Sequence, residues 1–179
     1  MNNEVKSGLA GTKTEQNLRD ALADEALGYT RYMVFADEAH MNGDHVLAHR
    51  FEKTADNEKE HARIWMEYLG DISDNLGNVR ASEAGEEYES TTMYPEYADI
   101  AEDEGFGEIA EKFRQVGSVE KTHGENFSSW ARDLENGDRY EGSENTVWEC
   151  GNCGYRVTGM NAPERCPLCS HRKGEFYKA

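Results

Sequence analysis

Apolar and small side chains at Leu18, Leu22, Ala26, Tyr29, Met33 and Ala36 recur at steps of three and four, the period of one helix face. Just ahead, Thr12-Lys13-Thr14-Glu15 has the T-x-x-E form of a capping box, so a first helix is predicted to begin near residue 13 and to end by Asn42-Gly43. A second helical stretch carries Val46, Phe51, Ala55, Ala62, Trp65 and Leu69 and stops at Gly70. Asn75 to Arg80 is read as a crossover. A third helix is predicted through Met93 and Ile100 to Gly105, and a fourth carries Ile109, Phe113, Val116, Phe127 and Trp130. Pro95 lies inside the third and removes a backbone donor, which predicts a kink there or a helix that begins just before it. From Asn136 to Asn145 the chain is polar, with two glycines and no apolar period. That stretch reads as a linker, with a domain boundary near residue 140: a helical domain over 1–140 and a small domain over 146–179.

Composition sharpens this picture. Only 3 of 179 residues are proline, which suits long uninterrupted helices. With 36 acidic against 19 basic side chains, the net charge of −17 repels phosphate backbones and anionic lipid, so neither nucleic acid nor membrane is an expected partner. No apolar run approaches the roughly 18 residues that span a bilayer, and the opening residues lack the apolar stretch of a secretory signal. A cytoplasmic location is expected. Charge and cysteine both divide the chain: Cys150, Cys153, Cys166 and Cys169 lie in the last thirty residues, where basic side chains slightly outnumber acidic ones.

The helical part repeats itself. Gly43, Ala48, Phe51, Glu58 and His61 recur in the same frame as Gly105, Ala110, Phe113, Glu120 and His123. Glu25 precedes Glu58 by 33 residues and Glu89 precedes Glu120 by 31, so each half is a helix with one glutamate followed by a helix with E-x-x-H. Two helix pairs facing each other make a four-helix bundle. E-x-x-H arises by chance in a chain so rich in glutamate; the informative feature is that both copies share one frame. Residues three apart lie about 60° from each other around a helix, so Glu58 with His61, and Glu120 with His123, can reach one point. Four carboxylates in a bundle core require protonation or cations, and two divalent metals supply the compensating charge. Four glutamates and two histidines suit iron or manganese better than zinc, as in carboxylate-bridged di-iron bundles. Two redox metals hold the two electrons that cleavage of an O–O bond demands.

In the tail, Cys150-Gly-Asn-Cys153 and Cys166-Pro-Leu-Cys169 form two thiolate knuckles. Spacing alone leaves zinc and iron equally open: zinc would only hold the fold, whereas iron would pass single electrons.

Together these segments resemble the rubrerythrin family over almost the whole chain. The resemblance lies in Lys13 to Leu18, Phe51 to Ala62, Met93-Tyr94-Pro95, the E-x-x-H around His123, and the two knuckles. It implies a mostly α fold, a ferritin-like four-helix bundle followed by a small rubredoxin-like domain. It further implies a di-iron centre bound by Glu25, Glu58, His61, Glu89, Glu120 and His123, one iron on Cys150, Cys153, Cys166 and Cys169, and tyrosines beside the di-iron pair at Tyr32 and Tyr94. The implied activity is reduction of hydrogen peroxide to water in oxidative-stress defence, by a head-to-tail homodimer. No Gly-rich dinucleotide fingerprint is present, so electrons are expected from an external donor such as a rubredoxin or an NAD(P)H-dependent reductase. Family members carry a second glutamate three residues after the first on the third helix, which exchanges with the second-helix histidine as one iron changes oxidation state. Counting from Glu89, that place holds Thr92, so His61 is expected to stay bound in both states, or water to fill the vacancy, with little iron movement.

Two rival readings remain at this stage. Four glutamates and two histidines also fit a ferritin-like ferroxidase or iron-sequestering protein, although storage has no evident use for an electron-carrying tail. A zinc-ribbon tail would make the protein an interaction module. His45 and His49, four apart, and His40 and His171 read as solvated histidines, and Met33, Met41, Met66, Trp65 and Trp130 as packing.

Overall fold

The computed structural model describes residues 8–179; the first residues, read above for the absence of a secretory signal, lie outside it. The chain is mostly helical, with a small strand region at its C-terminal end. It divides between Ser73 and Asp74 into two compact units.

The first unit is an antiparallel hairpin of α1 (Lys13–Met41) and α2 (His45–Leu69). Thr12 caps α1 as its sequence predicts, its hydroxyl accepting from the Glu15 N–H at 3.1 Å, while the Glu15 carboxylate accepts from the Gly11 N–H. Gly43, at φ 79°, makes the turn, and Asp44 caps α2 by accepting from the Leu47 N–H. The seam is made of alanine. Ala36 and Ala39 on α1 and Ala48, Ala55 and Ala62 on α2 are buried. The α2 set recurs every seven residues, which keeps one small-residue stripe against a partner helix.

The second unit opens with α3 (Asn75–Tyr88), a π-helical turn (Glu89–Met93) and α4 (Tyr94–Asp103), all packed against α5 (Gly107–Asn136). Asn75 to Arg80 is therefore helix and not crossover. The signal was Asp74, whose carboxylate accepts from the Gly77 N–H at 2.8 Å and starts α3 there. The expected disturbance near Pro95 takes the form of the π turn: the Tyr94 N–H reaches back five residues to the Glu89 carbonyl, and Pro95 falls in the first turn of α4, where no donor is needed. The hydroxyls of Ser90 and Thr91 donate to the carbonyls of Glu86 and Glu87, holding the widened turn. Ala98 and Ala101 pack in a second small-residue seam with Ala110, Gly117 and Ala131. A Cβ on Gly117 would stand 3.1 Å from the Tyr94 Cβ, so glycine lets α4 and α5 close at this level.

The two hairpins are copies in structure as in sequence. Tyr32 stacks on Phe51 at 6.2 Å and Tyr94 packs on Phe113 at 6.1 Å; Phe35 meets Phe51 edge-on at 5.7 Å, and Tyr97 meets Phe113 likewise at 5.7 Å. Adding 62 to a number in the first hairpin gives its counterpart in the second for all of these aromatic residues, and takes Ala36, Ala39, Ala48 and Ala55 to Ala98, Ala101, Ala110 and Gly117.

After α5 a small antiparallel sheet, ordered β2–β1–β3, is built from β1 (Val147–Cys150), β2 (Arg156–Thr158) and β3 (Phe176–Lys178). Its core is Trp148, Cys150, Ala162, Cys166 and Phe176, and the Trp148 indole N–H donates to the Gly159 carbonyl at 2.8 Å. The stretch read as a linker is partly built into this core: Tyr140 packs on it, and the backbones of Tyr140 and Gly142 bond to Ala162 and Met160. No helix among the described residues is long and apolar enough to cross a membrane.

The glycines supply a paired prediction. Gly85, in α3, has open space around its Cβ position, so Gly85→Ala should raise stability by about 0.5–1 kcal/mol. Gly117→Val should lower it by about 1–3 kcal/mol through overpacking against Tyr94. Denaturant unfolding of the two variants checks the opposite signs.

Candidate metal centres

On the first hairpin, Glu25 from α1 meets Glu58 and His61 from α2. His61 Nδ1 lies 3.3 Å from Glu25 Oε2 and 3.2 Å from Glu58 Oε2, and the three ligand atoms lie within 4.8 Å of one another. Gly28 sits across from Glu58, leaving room for the carboxylate between the helices.

On the second hairpin the group is Glu86, Glu120 and His123, again within 4.8 Å. His123 Nδ1 lies 2.7 Å from Glu120 Oε2 and 3.6 Å from Glu86 Oε2. Glu89, expected in this place, is not in the group. Its charge nevertheless acts on Glu86 and on the Tyr94 hydroxyl, raising both. The π turn accounts for the difference. Before it, first-hairpin numbers map forward by 61 and not 62, so Glu86 answers Glu25; the turn then absorbs one residue and returns Tyr94 to the place Tyr32 holds in the first hairpin. The sequence carried one signal for this: Glu86 precedes Glu120 by 34 residues, closer to the 33 of the first half than the 31 from Glu89. Counted from Glu86, the residue three positions on is Glu89, a carboxylate. Thr92 is exposed and outside the cluster.

Electrostatics show what each triad lacks. The Glu25 carboxyl is held above the ordinary range, first by its hydrogen bond to Glu58 and then by burial, while the same bond holds Glu58 below it. Burial raises Glu86, and Glu120 adds to the shift. One carboxyl of each pair thus holds its proton more tightly than an isolated glutamate does, because two adjacent carboxylates repel. His61 is raised by Glu25 and Glu58. None of these side chains is fully buried, so the deep burial expected from the sequence is not found; the contact with Glu58 leads at Glu25 and partial burial leads at Glu86. Two oxygens and one imidazole per hairpin fit an iron ion, and bound metal would favour the ionised carboxylates over their protonated forms.

In the sheet region, Cys150 and Cys169 sulfurs are 3.7 Å apart and those of Cys153 and Cys166 are 3.6 Å apart. Both separations are far from a disulfide of about 2.05 Å and close to the edge of about 3.8 Å in a tetrahedron with metal–sulfur bonds near 2.3 Å. The knuckles are related by a local two-fold pattern. Cys150 and Cys166 are buried and Cys153 and Cys169 half-buried, while backbone N–H groups two residues on, at Tyr155 and His171, are directed to Cys153 and Cys169. The His171 contact helps pull Cys169 down to about 6. The Tyr155 contact also favours the Cys153 thiolate, but burial and the neighbouring thiols outweigh it and push Cys153 up to about 12. Four clustered thiols cannot all ionise without a metal. The residue after each knuckle has positive φ: Gly154 at 72°, and Ser170 at 62° where glycine would be unstrained.

Metal should reverse a pH trend. A histidine raised in the folded state contributes stability that is fully present below about pH 6.5 and is lost as pH rises through its folded value. The thermal midpoint of metal-free protein should therefore fall from neutral to mildly alkaline pH, and iron loading should abolish the fall. Calorimetry at stepped pH checks both.

These centres lie within the segments that match known proteins. The family model for rubrerythrin matches residues 16–131, and that for the rubrerythrin rubredoxin-like domain matches residues 148–177. The chain is 38% identical to a rubrerythrin of Porphyromonas gingivalis, over 97% of this chain and 93% of that one. It is 38% identical to a rubrerythrin of Nitratidesulfovibrio vulgaris, over 94% and 95%. A solved nigerythrin in its partially reduced state is matched at 25% identity over 95% of this chain and 90% of that one, with a TM-score of 0.36. With two carboxylate–histidine triads and a four-sulfur cluster inside the matched segments, the chain belongs to the rubrerythrin family, an oxidoreductase family joining a di-iron domain to a rubredoxin-like one.

Proposed function

We propose that this protein is a cytoplasmic peroxidase that reduces hydrogen peroxide to water, with Glu25, Glu58, His61, Glu86, Glu120 and His123 as di-iron ligands and Glu89 as an additional carboxylate. The observation that carries the reading is the repeated triad of two carboxylates and one imidazole within 4.8 Å, on a chain that also carries a tetrathiolate cluster. When bound, the iron pair would supply two electrons to the O–O bond and the tail iron would restore them singly.

The chain's own groups handle the protons. Reduction of one peroxide to two waters consumes two electrons and two protons. Tyr94 is suited to deliver one: burial and the nearby Glu89, Glu120 and Glu86 charges raise its hydroxyl, so it stays protonated at neutral pH. Tyr32 occupies the equivalent position on the first hairpin, seven residues after Glu25 and packed on Phe51. The protein supplies no dinucleotide fingerprint, so a rubredoxin or an NAD(P)H-dependent reductase is the proposed electron source. Exposed apolar side chains, Val34 and Leu27 on one hairpin and Ile109 and Trp130 on the other, support assembly as a homodimer, with the head-to-tail arrangement bringing one chain's tail to another chain's carboxylates.

Anaerobic mixing of the reduced, iron-loaded protein tests the proposal. Reoxidation much faster with peroxide than with dioxygen supports it; mineral growth in a large assembly selects iron storage, and a colourless zinc tail selects an interaction module. Tyr94→Phe should lower kcat by about 10²-fold with iron content unchanged. Glu89→Gln should leave both irons bound in the reduced protein and abolish the ligation difference between oxidised and reduced crystals; an unchanged difference assigns that role elsewhere.

A further inference from the structure

Three histidines and a glutamate converge where α1 turns into α2, in a cluster separate from both triads. His40 stands in the last turn of α1, and His45, His49 and Glu52 follow on α2 at positions i, i+4 and i+7, a spacing that holds them on one face. One carboxylate gathers two imidazoles: Glu52 Oε1 lies 3.0 Å from His40 Nε2, and Glu52 Oε2 lies 2.8 Å from His49 Nδ1. Single ligand atoms from His40, His49 and Glu52 lie within 4.8 Å of one another. The other ring nitrogen of His40, Nδ1, is 3.0 Å from His45 Nδ1.

We propose that His40 Nε2, His49 Nδ1 and Glu52 form a further metal site, specific for a borderline divalent cation such as zinc, with water completing the shell. Tetrahedral bonds of about 2.0–2.1 Å place ligand atoms about 3.3 Å apart; the two histidine contacts to the separate Glu52 oxygens, at 3.0 and 2.8 Å, lie a few tenths of an ångström inside that spacing, and the three ligand atoms already lie within 4.8 Å of one another. The donor set separates this site from the triads. Two imidazoles and one carboxylate are softer and less charged than two carboxylates and one imidazole, which favours zinc, nickel or copper over iron and manganese. The net charge of −17 raises the local cation concentration around any such cluster.

His45 has a positioning role. For His40 Nε2 to offer its lone pair, the His40 proton must reside on Nδ1, and His45 Nδ1 is there to accept it; this fixes both tautomer and ring orientation. The ends of the turn are fixed independently by Gly43 at positive φ and by Asp44 capping α2. A cation held by His40 on one helix and by His49 and Glu52 on the next cross-links the hairpin at its closed end.

The test uses the full chain with iron already loaded in its other centres. Equilibrium dialysis against micromolar zinc, followed by metal analysis, should show one more zinc per chain in the wild type than in His49→Ala, with equal iron in both. His45→Ala, which removes no ligand, should weaken zinc binding by about 10–100-fold. A zinc-edge anomalous peak among His40, His49 and Glu52 would agree. Equal zinc uptake by wild type, His49→Ala and Glu52→Gln, or zinc gained only as iron is lost, overturns the site.

Discussion

Two carboxylates brought close together repel and favour a proton or a cation between them, and each helical hairpin is organised around one such pair. Glu25 with Glu58 and Glu86 with Glu120 are each joined by a histidine three residues along the second helix. The conflict is eased by a raised proton affinity at Glu25 and at Glu86, whose carboxyls are held above the ordinary range. The four thiols of the tail reach the same resolution, with Cys153 pushed up and Cys169 pulled down. In all three places the chain holds an anionic cage that a metal completes.

What lets the carboxylates approach is the absence of bulk beside them. Alanines on α1 and α2, and alanines with Gly117 on α4 and α5, bring paired helices together, while Tyr32, Phe35 and Phe51 and their counterparts Tyr94, Tyr97 and Phe113 pack alongside the seams. Small seams contribute modest apolar burial, because an alanine removes little surface from water. Their contribution is geometric. They set the helix spacing at which a glutamate from one rod reaches the E-x-x-H of the next.

The duplicated architecture has one break, and it falls at the chemistry. A one-residue expansion between Glu86 and Tyr94, taken up as a π turn, shifts the ligand position by a residue while leaving the tyrosine in register. The hydroxyls of Ser90 and Thr91 satisfy carbonyls at the widened turn, and Pro95 follows where it needs no partner. The same turn sets Glu89 close enough for its charge to act on Glu86 and Tyr94.

The sequence by itself determined the periodic elements and the covalently local chemistry. Four helical rods, the Thr12 cap, the paired E-x-x-H motifs and the two cysteine knuckles were legible because each depends on spacings of two to seven residues, which backbone geometry converts directly into proximity. The choice among Glu86, Glu87 and Glu89 was marked only faintly, by the 34-residue spacing from Glu86 to Glu120. Within four residues on a helix, three glutamates differ only by angle, and a single π turn rotates the outcome by more than that difference. Nor did the sequence disclose the cluster of His40, His49 and Glu52. His45 and His49 invite attention as a pair, yet His40 belongs to the preceding helix, and only folding of the hairpin brings it to the same carboxylate. Contacts within one helix follow from the order of residues; contacts between helices follow from how closely the seams allow them to pack.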